Sequence, residues 1–180
     1  MQVIIIGSGA SGLMAAITSA RNGHAVTLLE RQARVGRKLL ATGNGRCNLT
    51  NRNMALSCYH GQAPEFIRPA FTALDLNATL AFFHSLGLLT VTEDTGRVYP
   101  YSDQAGSVVD VLRFAADAAG VVTRTGFEVT GLKRTKKSFS VSSAEETWTA
   151  DRVIVCCGGM AGGKLGGTRS GYERSSPWAT

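Results

Sequence analysis

The stretch that decides the fold is Val3-Ile4-Ile5-Ile6-Gly7-Ser8-Gly9-Ala10-Ser11-Gly12. Its apolar, β-branched start is typical of a strand that is buried on both faces of a parallel sheet. A glycine-rich turn follows, and the alanine-rich residues 13–21 favour a helix that Asn22-Gly23 ends. A second apolar strand is predicted at residues 25–29, which completes a βαβ unit within about 30 residues.

The glycines of this turn have the spacing of a loop that cradles the phosphates of a dinucleotide. Gly7 allows the tight turn, Gly9 lets the backbone approach a pyrophosphate, and Gly12 lets helix and strand pack closely. Ala10 and Ser11 begin the helix, whose N–H groups and partial positive charge attract phosphate. The motif therefore predicts dinucleotide binding. The alternative is a plain tight turn in an α/β protein.

Charged residues come at the end of the second predicted strand and shortly after it. Glu30 stands where an acidic residue receives the two ribose hydroxyls of a dinucleotide. It also disfavours a 2′-phosphate at this position, because two anions repel each other. Arg37 and Lys38 follow, and two cations beside a pyrophosphate can neutralise it. A solvated basic loop is the alternative interpretation of this pair.

A polar loop follows at residues 42–51, which read Thr-Gly-Asn-Gly-Arg-Cys-Asn-Leu-Thr-Asn. Two glycines flank Asn44, which implies unusual backbone angles. Together with Arg46 and Asn48, this asparagine supplies many hydrogen-bond donors for the edge of a flavin ring or for a substrate anion. A turn with polar side chains is the alternative. Cys47 as a nucleophile is a weaker hypothesis, because no histidine is near it in sequence.

Later elements are predicted with less chemistry attached. Helices are expected at residues 65–74, 77–86 and 107–119, and a hairpin is expected from strands 88–92 and 97–101. Strands are also expected at 121–125, 128–132 and 153–157. The last of these ends in Gly158-Gly159, which brings the backbone close to a cofactor. An antiparallel hairpin over residues 139–148 precedes it.

Composition excludes several classes of protein. The chain has 180 residues and a net charge of +6, and its basic residues are spread out without interleaved aromatics, so nucleic-acid binding is not expected. No apolar run has the length of about 18 residues that a membrane span needs. No leader peptide is expected, because residues 1–6 lead straight into a strand without a preceding basic segment. The four cysteines lack zinc spacing, so we expect reduced thiols, no metal site and a cytoplasmic location.

These motifs together resemble the HI0933-like (BaiN/YhiN-like) flavoproteins, a bacterial family of FAD-dependent oxidoreductases of the two-dinucleotide-binding type. The resemblance covers residues 1–173, and residues 36–51 carry its most specific part. Further matches lie at residues 96–100, 153–159, 166–168 and 171–172. The resemblance implies an α/β Rossmann-like FAD-binding domain with an antiparallel β insert.

The resemblance also implies a cofactor site and missing parts. FAD would lie with its pyrophosphate over residues 9–12 and its ribose on Glu30, and Val129 would offer a backbone contact to adenine. The residues expected to line the path from phosphate to flavin are Arg37, Lys38, Gly43, Asn44, Arg46, Cys47 and Asn48, with Gly158 and Gly159 closing the first half of the domain. Chains of the family continue through a substrate domain and a last FAD-binding segment, so this chain is expected to be truncated, with an aberrant tail at 174–180.

Four functions are therefore weighed. The first is an FAD-binding oxidoreductase linked to NAD(P)H, in which the flavin carries the chemistry and no catalytic residue can be named. The second is a truncated or frameshifted remnant without catalytic activity. A small NAD-binding Rossmann module is the third, which Glu30 permits but the loop at 43–51 disfavours. A basic RNA-binding protein is the fourth, and no aromatic or basic platform supports it.

Overall fold

A computed structural model describes residues 1–165, 167, 169 and 171. The described residues divide into two compact units, one formed by residues 1–39 and those from 112 onward and the other by residues 40–111. Of the stretches that carry the resemblance, residues 166, 168 and 172 fall outside the described residues, and the tail at 174–180 falls outside them entirely.

The helices are α1 (Ala10–Arg21), α2 (Arg68–Ala73), α3 (Leu76–Ser85) and α4 (Ala105–Ala118). The strands are β1 (Gln2–Ile6), β2 (Ala25–Leu29), β3 (Thr50–Asn51), β4 (Thr90–Thr92), β5 (Arg97–Pro100), β6 (Val122–Arg124), β7 (Gly131–Arg134), β8 (Phe139–Ser142), β9 (Thr147–Ala150) and β10 (Arg152–Val155). Short 3-10 helices are found at Leu56–Cys58, Pro64–Ile67 and Gly163–Leu165, and the segment Leu39–Gly45 has 3-10 turns interrupted by a kink at residues 42–44.

The first unit is built on a parallel sheet with the strand order β10-β1-β2-β6. Strand β1 is central and its residues 3–6 are buried, as expected for a strand covered on both faces. Helix α1 connects β1 to β2 and buries Leu13, Ala16 and Ile17. The predicted βαβ unit is confirmed. Strands β1 and β2 are parallel, so their carboxyl ends lie on the same side of the sheet, where the phosphate loop begins.

The same unit carries an antiparallel sheet with the order β7-β8-β9, which confirms the predicted insert. Its apolar face packs around Val141, which is fully buried, and Phe127 meets Trp148 in a T-shaped contact with ring centroids 6.5 Å apart. The strand predicted at 128–132 is wrong in position, since β7 begins at Gly131. The segment before β7 lies beside the end of β2 instead, where Phe127 N–H donates to the carbonyl of Glu30 at 2.8 Å.

The second unit holds a small antiparallel sheet, β3-β5-β4. The predicted hairpin is confirmed as β4 and β5, joined by a turn in which Gly96 takes a φ of +81°. The helix predicted at 65–74 is divided into a 3-10 turn and the short α2. Helix α3 begins where Asp75 Oδ1 accepts from Ala78 N–H at 2.8 Å, an N-cap that fixes its start.

No helix in the described part of the chain is both long and apolar enough to cross a membrane.

Candidate cofactor site

Gly7 makes the turn between β1 and α1. It takes a φ of +99°, which side-chain-bearing residues rarely adopt. A Cβ added there would lie 2.5 Å from the carbonyl oxygen of Cys156. Its N–H donates to the carbonyl of Leu29 at 2.8 Å. The turn is therefore closed in by β2 on one side and by the end of β10 on the other, and only glycine fits.

Gly9 and Gly12 differ sharply in their surroundings. A Cβ added at Gly12 would lie 1.8 Å from the carbonyl oxygen of Gly7, so helix and strand touch here without room for a methyl group. A Cβ added at Gly9 would meet no atom within 4 Å. Gly12 thus permits close packing of helix and strand, while Gly9 presents bare backbone to open space.

The N-terminus of α1 opens onto that space. Gly9 is its N-cap residue, no side chain caps it, and the first turn contains no acidic residue. Ala10 and Ser11 are exposed at this end. The first N–H groups of a helix need acceptors, and the helix dipole favours an anion there. The residues present therefore fit a pyrophosphate at this point.

Glu30 lies beside the same turn, half-buried at the end of β2. Its Oε2 accepts from the backbone N–H of Ser8 at 2.9 Å and from Ser8 Oγ at 2.7 Å. Its Oε1 accepts from the backbone N–H of Gln32 at 2.8 Å. A carboxylate held this way is an acceptor of fixed orientation next to the phosphate loop, as an adenosine ribose requires.

Two cations come after this carboxylate. Arg37 is exposed, and its guanidinium donates to Gln32 Oε1 at 2.8 Å and to the carbonyl of Lys164 at 3.1 Å. Lys38 Nζ donates to the carbonyl of Gly159 at 3.1 Å and lies 3.7 Å from where a Cβ on Gly158 would be. All three acceptors are neutral, so the two positive charges stay available to a phosphate.

Strand β10 ends at Val155, and two cysteines link it to the glycine pair. Burial raises the pKa of the Cys156 thiol, and a hydrogen bond with Ser11 opposes that shift. Cys156 N–H donates to the carbonyl of Ile6 at 2.7 Å, which ties this segment to β1. The approach of Gly158 to Lys38 brings the two predicted parts of the site together.

Val129 lies in irregular chain before β7 rather than in a strand, which corrects its predicted setting. Its side chain is buried in the core with Phe127 and Val141. The predicted backbone contact of Val129 with adenine stays a prediction.

The polar loop lies in the second unit, and its backbone has the unusual angles that its glycines predict. Gly43, Asn44 and Gly45 have φ values of +53°, +55° and +88°. Cys47 also takes a positive φ, of +61°. Two backbone hydrogen bonds close the turn, from Arg46 N–H to Gly43 and from Cys47 N–H to Thr42. A left-handed turn of this kind points several backbone groups in one direction.

Arg46 fixes the loop from the side. Its guanidinium forms ion pairs with Glu93, at 2.7 Å, and with Asp103. It also lies over the ring of Tyr99, 3.9 Å from the centroid. The two carboxylates raise the pKa of Arg46 well above its usual range. Its charge is therefore committed within the unit, and its direct contribution to the loop is structural.

Cys47 and Asn48 complete the loop. Cys47 is 3% exposed, and burial raises the pKa of its thiol. A protonated, buried thiol is a poor nucleophile, so the geometry disfavours that hypothesis. With its amide nitrogen facing the neighbouring carbonyls, Asn48 donates to Thr50 at 2.9 Å and to Val98 at 3.3 Å.

The structure thus brings together the predicted residues of the first unit, and it places the others in one turn of the second unit. Sequence reasoning missed Ser8 and Gln32, which hold Glu30. The signal for Ser8 was a hydrogen-bonding side chain inside the glycine motif, whereas Gln32 acts through its backbone N–H, which no sequence pattern marks. Among the described residues, no three His, Cys, Asp or Glu side chains form a cluster that could hold a metal ion.

A parallel sheet, a glycine turn that leads into α1, an acid at the end of β2 and an antiparallel insert define a Rossmann domain of the dinucleotide-binding class. The model of the HI0933-like protein Rossmann domain matches residues 1–178, and the chain belongs to this family. The chain shares its fold with a solved structure that contains FAD.

Two curated relatives and one solved structure illustrate the likeness. The chain is 48% identical over 170 residues to a 3-dehydro-bile acid delta(4,6)-reductase of Clostridium scindens, covering 93% of this chain and 41% of the relative. It is 29% identical over 174 residues to a ribosomal RNA dihydrouridine synthase of Haemophilus influenzae, covering 94% of this chain and 43% of that relative. The crystal structure of CtdE with FAD and a substrate shares the fold, with a TM-score of 0.56, 18% identity, and 89% and 38% of the two chains covered. The chain therefore spans about two fifths of the length of these curated relatives.

Proposed function

We propose that residues 1–173 form the FAD-binding domain of an oxidoreductase that takes electrons from NADH or NADPH. The observation that carries the proposal is the open helix N-terminus at Gly9 with the oriented carboxylate of Glu30 beside it. One end of this arrangement fits a pyrophosphate and the other fits a ribose. A lone phosphate ligand would leave the carboxylate without a role.

The residues would share the work of holding the cofactor. Residues 9–12 bind the pyrophosphate, Glu30 binds the adenosine ribose, and the backbone of Val129 meets the adenine. Arg37 and Lys38 supply positive charge, as their neutral partners allow. The residues proposed to line the path toward the flavin ring are Gly43, Asn44, Arg46, Cys47, Asn48, Gly158 and Gly159.

FAD supplies the redox chemistry when it is bound, by accepting two electrons as a hydride and passing them on. In the proposed reaction, NAD(P)H loses a hydride to become NAD(P)⁺, and an unsaturated substrate gains that hydride and a proton. This chain binds and orients the cofactor. Substrate contacts and the proton donor belong to a substrate domain and a last FAD-binding segment, parts of the family chain that the match does not cover.

The substrate class we propose is a carbon–carbon double bond conjugated to a ketone, as in an unsaturated 3-oxo steroid. Support comes from the relative with 48% identity, a reductase of a 3-dehydro bile acid. The relative with 29% identity acts on ribosomal RNA, so members of the family differ in substrate. A cytoplasmic location is part of the proposal, because Cys47, Cys58 and Cys156 are thiols.

The test is a flavin-binding titration of the 180-residue chain, followed by visible absorption and flavin fluorescence. We expect saturable FAD binding that Glu30→Ala and Gly9→Ala weaken. Binding of NAD⁺ with no binding of FAD would support an NAD-binding module instead. A chain that aggregates and binds neither would support a remnant without function.

A longer protein that also contains the substrate domain and the last FAD-binding segment is then mixed with NADH or NADPH in the absence of oxygen. Bleaching of the flavin absorbance identifies the electron donor. Recovery of that absorbance on adding a 4,6-unsaturated 3-oxo bile acid, but not uridine-containing RNA, supports the proposed substrate class. Recovery with the RNA alone would overturn it.

A further inference from the structure

Ser8 is a polar residue of the phosphate loop that no ligand can reach. It lies between Gly7 and Gly9 and its relative exposure is 0%. Its Oγ donates to Glu30 Oε2 at 2.7 Å, and its backbone N–H donates to the same oxygen at 2.9 Å. A buried hydroxyl that donates its hydrogen bond to a carboxylate can act on a ligand only through that carboxylate.

The hydrogen bonds on Glu30 leave little freedom to its side chain. Ser8 provides both donors to Oε2, and the backbone N–H of Gln32 donates to Oε1 at 2.8 Å. A carboxylate offers about four acceptor positions, so Oε2 is saturated and Oε1 keeps a position open. The open position belongs to an oxygen whose orientation is already set.

The carbonyl of Ser8 ties down a further segment. It accepts from Gly36 N–H at 3.0 Å, and Gly36 is buried with a φ of +72°. This contact anchors the chain just before Arg37. Ser8 therefore joins the phosphate loop to the end of β2 and to the beginning of the basic segment.

We propose that Ser8 is a positioning residue, which fixes the carboxylate of Glu30 so that it recognises the hydroxyls of the adenosine ribose. The inference rests on the proposed function, in which Glu30 binds this ribose. Without the Ser8 hydroxyl, one charge-assisted hydrogen bond is lost and only the backbone N–H groups of residues 8 and 32 still hold the carboxylate, which gains freedom to turn toward water. A ligand would then have to order the side chain as it binds, which weakens binding.

The experiment compares two ligands that differ only in the ribose hydroxyls, ADP and 2′,3′-dideoxy-ADP. Each displaces FAD from the 180-residue chain while flavin fluorescence is followed. We expect the unmodified chain to bind ADP about ten-fold more tightly than the dideoxy compound. In Ser8→Ala we expect the two affinities to agree within about two-fold, because the affinity for ADP alone falls.

Two further variants separate positioning from folding. Ser143→Ala removes another hydroxyl with several local hydrogen bonds, in the β8–β9 turn, and should keep the ten-fold ratio. Ser8→Cys keeps nearly the same volume with a weaker donor and should give an intermediate ratio. In a Glu30→Gln background, Ser8→Ala should have no further effect on the ratio, since the two residues act as one unit.

The possible results are distinct. If Ser8→Ala leaves the ratio of the affinities for ADP and 2′,3′-dideoxy-ADP unchanged, whether or not both affinities fall, the positioning role is overturned while the proposed function stays intact. An unmodified chain that binds FAD but does not discriminate between the two ligands would remove the ribose role of Glu30, and the inference with it. An unmodified chain that binds neither FAD nor ADP would overturn the proposed function itself.

Discussion

Gly9→Ala and Gly12→Ala add the same methyl group three residues apart, and the structure predicts opposite consequences. At Gly12 the new Cβ would lie 1.8 Å from the carbonyl oxygen of Gly7. Carbon–oxygen contacts rarely fall below about 3.3 Å, so α1 must move away from β1 by more than about 1 Å. Overpacking of this kind costs about 3 kcal/mol or more.

At Gly9 the methyl group meets no atom within 4 Å, and the backbone angles of −73° and −168° suit alanine. Alanine is a poorer N-cap than glycine, so we expect a loss of stability below about 1 kcal/mol. The methyl group would, however, occupy the space in which the pyrophosphate approaches the backbone. We expect FAD affinity to fall at least about ten-fold, or about 1.4 kcal/mol.

The assay has two parts, urea unfolding followed by circular dichroism and FAD titration followed by fluorescence. Gly9→Ala should unfold near the midpoint of the unmodified chain and bind FAD poorly. Gly12→Ala should unfold at much lower urea. The reasoning is refuted if Gly12→Ala is as stable as the unmodified chain, or if a folded Gly9→Ala binds FAD normally.

Four further predictions concern the loop and the core. Burial raises the pKa of the Cys47 thiol, so the folded chain keeps this proton to higher pH than the unfolded chain does. The free energy of unfolding should therefore fall as pH rises above about 8.5. Urea titrations from pH 7 to 10 should show a smaller fall in Cys47→Ala than in the unmodified chain. Iodoacetamide at pH 7 should modify exposed Cys58 before Cys47, and peptide mapping that found the reverse order would contradict the buried loop. Arg46→Lys keeps the charge but loses the paired contacts and the stacking on Tyr99, so amide hydrogen exchange in residues 43–48 should accelerate. Unchanged exchange would show that the contacts of Arg46 do not hold the loop. Val141→Ala should lower the free energy of unfolding by about 2 kcal/mol, measured by urea titration, and a cost near zero would contradict the packing of the insert.

Much of the fold follows from local pattern. The run of β-branched residues from Val3 to Ile6 and the glycine spacing predict a strand, a turn and a helix, because each step has a strong local preference. The hairpins were predictable for the same reason, since Gly96 marks a turn with positive φ. Strand β7 was misplaced because a long-range hydrogen bond from Phe127 to the carbonyl of Glu30 overrides local propensity.

The site was predictable in its residue types but not in its hydrogen-bond partners. Glycine spacing indicates which backbone faces a ligand, yet only the folded chain shows that Ser8 and Gln32 hold Glu30. Likewise, Arg46 stands in a polar motif, and its pairing with Glu93 and Asp103 depends on residues far along the chain. Patterns in sequence report local preference, whereas such contacts depend on tertiary packing.

The measurement that most directly tests the central claim is hydrogen–deuterium exchange of the 180-residue chain with and without FAD. The first turn of α1 has N–H groups that lack partners from side chains, so a bound pyrophosphate should protect them. We predict slower exchange at residues 9–12 and 30–38 on adding FAD, with little change in the β8–β9 hairpin. Saturating FAD that leaves residues 9–12 unprotected would contradict the placement of the cofactor.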